Sequence, residues 1–214
     1  MPRRIDQMSK EQKSKLIEEL KKKMRADESL PLRSSSTNLV FGEGNSDSEI
    51  LFIGEGPGFW EDKKGRPFVG NAGAFLNQLL YSIELPREEV YITNVIHYRP
   101  PENRDPLPDE IRAFETYLDK IIEIIDPKVV VTLGRFSMGK FLANAKISSV
   151  HGREHVVNWK GKQLKIVPMF HPAAGLRSNE VKMHLFGDFK KLKEMLDEMN
   201  DKERIEKVEQ MLLV

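Results

Sequence analysis

Residues 50–53, Ile-Leu-Phe-Ile, are apolar and β-prone and stop at Gly54, which predicts a buried strand opening directly onto a loop. In that loop Gly54, Gly56, Pro57 and Gly58 surround one carboxylate, Glu55. Glycines at this density let the main chain take positive φ and let a flat ligand come close to backbone N–H groups. A strand, a glycine-rich loop and a helix also describe nucleotide-binding folds, but two details exclude these. The loop lacks the Lys and Ser/Thr of a P-loop. The next helical pattern, with Leu76, Leu79 and Leu80 on one face, begins only near Asn71, too late for the dinucleotide fingerprint.

Three more apolar runs, at 90–96, 129–134 and 166–169, alternate with stretches of helical periodicity. This alternation predicts an α/β fold, a three-layer α/β/α arrangement around a central, mainly parallel four-stranded sheet. The helical patterns lie at 10–24, from Pro108 or Asp109 to Ile125, at 136–145, around Leu185 to Leu196, and at 205–214. Between 150 and 167 the alternation around Lys160 and Gly161 predicts a hairpin. The expected organisation is a charged N-terminal helix in 1–30, packed by Leu16, Ile17, Leu20 and Met24 on one domain at 31–200, and a helical tail at 201–214.

The formal net charge of +1 gives no global sign of nucleic-acid binding, so any such surface must be a local patch. Charged residues make up 31% of the chain, a Lys- and Glu-rich composition compatible with a thermophile. The segment MPRRIDQMSK has no apolar core of a leader, and no run reaches membrane-spanning length. A soluble, cytoplasmic protein is expected, nucleoid-associated in a prokaryote.

Three blocks in order carry a resemblance. GEGPG with Glu61, Asp62, GRPFVG and the pair Ala72 and Gly73 forms the first; VYITNVIHYRPPENRDPLPDE and PMFHPAAGLRS form the second and third. Together they resemble the uracil-DNA glycosylase superfamily, nearest its thermostable family 4, from about Phe41 to about Leu192. The resemblance implies a monomeric, monofunctional enzyme that hydrolyses the N-glycosidic bond of deoxyuridine in single- or double-stranded DNA. U·G pairs and single strands come first, then U·A pairs, and the reaction starts base excision repair. Flipping the base costs least where it is mismatched or unpaired.

In that setting Asn94, near a strand's C-terminal end, offers an acceptor and two donors to an imide edge. Phe68 would stack on the base, with main-chain N–H groups around Glu55 and Gly56 reading its edge. His171 would donate to a carbonyl gaining negative charge. The family 1 enzymes position water with an Asp where this chain has Gly56, so Glu55 is the first candidate for that task and Glu61 the second; the sequence leaves the choice open. Arg99, Arg104 and Arg177 are candidate phosphate contacts, and Leu176 a candidate wedge into the duplex. Ser137 suits either a phosphate or a helix cap. His97, His151, His155 and His184 are read as structural.

Departures from the family pattern matter as much. Ala174 stands where the family usually has Tyr and Gly175 where it usually has Leu, which weakens the expected wedge. The resembling enzymes hold an iron-sulfur cluster on four cysteines, whereas this chain has none, so no thiolate-held cluster and no metal are expected. The ligand positions fall near Asp27 and Leu30 and at Tyr98 and Phe114, where apolar packing is expected to tie down the N-terminal segment instead. Two other readings remain: a same-fold glycosylase for hypoxanthine or xanthine, with Trp60 reshaping the pocket, and a catalytically weak DNA-binding paralogue. The terminal QMLLV faintly resembles a sliding-clamp peptide without its aromatic pair.

Overall fold

A strand buried on both faces needs a nearly continuous apolar run, and residues 50–53 and, apart from buried Thr132, residues 129–133 meet that demand. In the computed structural model, which describes residues 8–212 with the side chains of 203, 206, 207 and 210–212 excepted, both become central strands. The described strands are β1 (Glu43–Gly44), β2 (Ile50–Gly54), β3 (Tyr91–Asn94), β4 (Val129–Leu133), β5 (His155–Trp159) and β6 (Lys162–Met169). Their order in the sheet is β1-β3-β2-β4-β6-β5. β3, β2, β4 and β6 are mutually parallel, with Phe52 opposite both Ile92 and Val131, and Val131 opposite Val167. These are the four strands read from the sequence. Two antiparallel edge strands extend the sheet to six. β1 is two residues long and carries no apolar signal; β5 is the first arm of the expected hairpin, turning through Lys160 (φ 51°) and Gly161 (φ 84°) as a two-residue turn requires.

Alternate residues of the central strands feed two cores, which makes the layers. Leu51, Ile53, Val130 and Ile166 face α1 (Lys10–Ala26) and α4 (Pro108–Ile125). Phe52, Val131, Val167 and Met169 face α3 (Asn71–Tyr81) and α8 (Asn179–Leu212). Each of these fully buried side chains contributes roughly 1.5–3 kcal/mol. α1 starts at a capping box, with Ser9 and Gln12 each bonding the other's backbone N–H. It docks through Ile17 and Met24 and through Lys13, whose ammonium donates to Asp47 at 2.7 Å and to the Ile125 carbonyl at 3.1 Å.

Three short helices lie at the C-terminal ends of the strands: α2 (Phe59–Lys64), α5 (Arg135–Gly139) and α7 (Pro172–Gly175). A fourth, α6 (Ile147–Val150), precedes β5. The helix expected at 136–145 is thus only the brief α5, and α2 was not foreseen, because six residues carry too little periodicity to register. α8 runs unbroken from Asn179 to Leu212, so the segment after 200 continues it as one helix. The side chains of the terminal QMLLV lie outside the described residues. Among the described residues no helix is long and apolar enough to cross a membrane.

Candidate active site

Strand pairing continues into the loops past β2 and β3: Val95 N–H donates to the Gly54 carbonyl at 3.0 Å and Ile96 N–H to that of Glu55 at 3.2 Å. The glycine-rich loop and the segment after Asn94 therefore run side by side. Gly54 is the point of closest approach. A β-carbon there would lie 2.4 Å from Asn94 Oδ1 and 2.6 Å from the Phe68 ring, so only glycine lets the amide and the ring converge. Both cover Gly54, which does not itself reach the cavity they line.

That cavity, about 570 Å³, is of small-ligand size and is lined by Glu55, Glu61, Phe68, Asn94, His171 and Arg177, together with Gly56, Pro57 and Gly58. Asn94 is only 2% exposed, yet its side-chain amide makes no hydrogen bond within the described protein. Buried polar groups are normally paired, so an unpaired amide facing a cavity is a group kept for a ligand. Phe68 sits at φ 50°, a strained conformation for a side chain of its size. Glu61 holds it there. Its Oε1 accepts from the N–H groups of Val69 at 2.9 Å and Gly70 at 2.7 Å, tying the Phe68 turn to α2.

The Phe68 ring stacks on His171 with centroids 5.6 Å apart and planes 28° from parallel. Desolvation, reinforced by the Arg177 charge and opposed by Glu61, lowers the His171 pKa to about 4. The imidazole is therefore neutral near pH 7. Its Nδ1 accepts from Ala173 N–H at 3.2 Å, which assigns the proton to Nε2 and makes that nitrogen a donor. Opposite, Glu55 reaches under α5, where its Oε1 accepts from Phe136 N–H at 3.3 Å. Gly134, at φ 105°, makes room for it; a β-carbon there would lie 2.3 Å from Oε1. Burial raises the Glu55 pKa, offset in part by the Phe136 amide and the Arg135 charge.

Other candidates fall differently. Ser137 is fully buried with its hydroxyl donating to the Gly134 carbonyl, so it stabilises the start of α5 and offers nothing to a phosphate. Arg104 lines the cavity but is held by Glu110 through two bonds of 2.8 and 2.6 Å, a clamp at the head of α4. Arg99 bonds Asn103 and lies over the Phe59 ring. Leu176 is 51% exposed beside Arg177. Trp60 is half exposed and outside the cavity wall, so it does not reshape the pocket. The sequence reading missed Asn103, Asp105 and Pro106, which line the cavity within a proline-rich segment whose cations carry its only evident signal.

The remaining histidines pack in the fold. His151 bonds Asp188 at 2.7 Å and packs on Phe170, the neighbour of His171. His155 meets the Val150 carbonyl, and His184 stacks on His151. His97 meets the Val40 carbonyl through Nδ1, while its buried Nε2 has no partner, and burial lowers its pKa to about 4.

At the far end of the segment that follows β3, Leu30, Tyr98 and Phe114 are buried in one core with Met24 and Tyr117. The Asp27 carboxylate accepts from the Tyr117 hydroxyl at 2.7 Å. These four positions supply no sulfur ligand, and three of them are filled by packed apolar or aromatic side chains, so the corner does not fit a thiolate-held cluster.

The profile of the Uracil DNA glycosylase superfamily matches residues 41–200, and the chain belongs to that family. More narrowly, it is 43% identical to the Type-4 uracil-DNA glycosylase of Sulfurisphaera tokodaii over 185 residues, 84% of each chain. It is 42% identical to that of Thermotoga maritima, over 86% of this chain and 96% of the relative. With the Type-4 enzyme of Archaeoglobus fulgidus it shares 45% identity over 77% and 85%.

Proposed function

We propose that this chain is a uracil-DNA glycosylase that hydrolyses the N-glycosidic bond of deoxyuridine in DNA, releasing uracil and leaving an abasic site. The observation that carries the reading is the unpaired, buried Asn94 amide beside the Phe68–His171 wall. An amide reads the N–H and carbonyl of an imide edge, and Phe68 stacks on the base, a contact of roughly 1–3 kcal/mol. The substrate class includes U·G pairs, single-stranded uracil and U·A pairs, in order of falling ease of flipping.

As the bond between C1′ and N1 breaks, its electron pair moves onto uracil and positive charge grows on the sugar. His171 Nε2–H and loop amides stabilise the anion; a carboxylate stabilises the cation. A neutral imidazole suits this task because it donates to the base without giving up a proton. Water then attacks C1′, forming the new C–O bond, and its proton passes to the carboxylate or to solvent. Of the two candidates Glu55 takes this role, since both bonds to Glu61 Oε1 are spent on the Phe68 turn whereas Glu55 has one long contact. Arg177 holds a phosphate and Leu176 fills the space the base leaves. The reading includes action as a monomer, a cytoplasmic location and independence of any iron-sulfur cluster.

The test is a strand-breakage assay on oligonucleotides carrying U·G, U·A, single-stranded U or hypoxanthine, with His171→Ala and Asn94→Ala as controls. Breakage after alkali at uracil, weakened by both substitutions, is expected; binding without breakage at any base would overturn the enzyme in favour of a DNA-binding role. The rate should fall in acid, with its midpoint shifted upward from that of an ordinary carboxylate, because Glu55 must be ionised and burial raises its pKa. That acid limb should be absent from the residual rate of Glu55→Gln.

A further inference from the structure

α2 is amphipathic in reverse. Its two carboxylates face the protein: Glu61 holds the Phe68 turn, and buried Asp62 accepts from the N–H groups of Thr37 at 2.8 Å and Asn38 at 3.0 Å. Its two aromatic side chains face out, Phe59 at 47% and Trp60 at 50% exposure, packed edge to face with centroids 5.1 Å apart. Core packing does not explain this pair, which stands half exposed beside the cavity mouth.

The surroundings say what it binds. Lys63 lies 5.7 Å from the Phe59 ring, Lys64 6.0 Å from that of Trp60, and the Arg99 guanidinium 5.3 Å from Phe59. None of these cations has a carboxylate partner among the described residues. Aromatic side chains flanked by cations without a carboxylate partner form the combination that takes single-stranded nucleic acid, bases on the rings and phosphates on the cations. The platform also abuts the cavity: Gly58 and Glu61 line it on either side of the pair, and Asn103, the partner of Arg99, lines it too.

We propose that Phe59 and Trp60 form a stacking platform for an unpaired nucleotide flanking the one whose base enters the cavity. The inference rests on the DNA reading above and deepens it, giving this enzyme a second base-binding position and a preference for single-stranded or locally opened DNA.

The experiment uses single-stranded oligonucleotides containing 2′-fluorinated deoxyuridine, which resists cleavage, with either natural neighbours or a baseless spacer on one side of it. Binding is followed by anisotropy for the parent, for F59A/W60A and for W60F. In the parent the spacer on one side should weaken binding about tenfold. F59A/W60A should bind the natural oligonucleotide about tenfold more weakly, ignore the spacer and keep its single-turnover rate at saturating DNA. W60F should keep most of the spacer effect. A parent indifferent to spacers on both sides, or a double variant with the full spacer effect, overturns the platform. Should F59A/W60A fail to fold, W159F leaves Trp60 as the lone indole, and its fluorescence should be quenched by a uracil-free single strand; an unquenched Trp60 overturns the proposal. Failure of the parent to release uracil from cleavable DNA would break the underlying function instead, so the two failures are told apart.

Discussion

Asn94 and Tyr98 leave the same strand and meet opposite environments. Asn94 faces the cavity with its amide unpaired, beside a phenylalanine held at positive φ. Tyr98 enters a corner where Leu30, Met24, Phe114 and Tyr117 close around it and where Asp27 has the Tyr117 hydroxyl as partner. One region is built around a polar side chain left open to a cavity and the other around packed apolar and aromatic side chains. The contrast predicts that changes in the corner alter stability and leave the chemistry intact, and that changes at the cavity do the reverse.

The largest expected effect is in the corner. Phe114→Ala removes a fully buried ring and should destabilise the fold by about 3–5 kcal/mol in urea denaturation. The turnover of the folded fraction should stay within a few-fold of the parent; a collapse of activity at equal folding would break the comparison. At the cavity, His171→Ala should lower the single-turnover rate about 10²–10³-fold, as loss of one transition-state donor does, with little change in the denaturation midpoint.

Between the two lies a pH effect. His97, under Phe41 and Phe114, resists protonation until about pH 4, whereas in the unfolded chain an imidazole takes its proton near 6.5. The stability that neutral His97 contributes is whole above 6.5 and drains away as the pH falls toward 4, by about 3 kcal/mol at most. His97→Phe should make the fall in stability shallower over that window by about one proton. The smallest effect is Tyr117→Phe, which removes one hydrogen bond to Asp27 near the surface and should cost no more than about 1 kcal/mol. A larger loss would mean that this bond, and not apolar packing, holds the corner.

The four parallel strands were legible because β2 and β4 are near-continuous apolar runs, broken in β4 only by Thr132, a pattern few alternatives can satisfy. The residues of the cavity were legible as motifs, and the structure brings Glu55, Asn94, Phe68 and His171 to one cavity. What a motif does not encode is a partner distant in sequence. Arg104 reads as a free cation until Glu110 is found across the first turn of α4, and Ser137 as a phosphate contact or a helix cap until its hydroxyl is seen buried on the Gly134 carbonyl. β1 escaped for a different reason: two residues around a glycine carry no periodicity, and only the neighbouring strand makes them part of a sheet.

α2 is a turn and a half that holds the Phe68 wall with Glu61 and presents Phe59 and Trp60 two residues and one residue before it. With a neighbouring base on those rings, the spacing between the inspected nucleotide and the next is measured by covalent backbone, at about 1.5 Å of rise per residue. The helix is then a ruler as well as a clamp. Under the proposed platform a stacked base would sit at a fixed offset from the Phe68 wall, because the two rings and Glu61 belong to one helix.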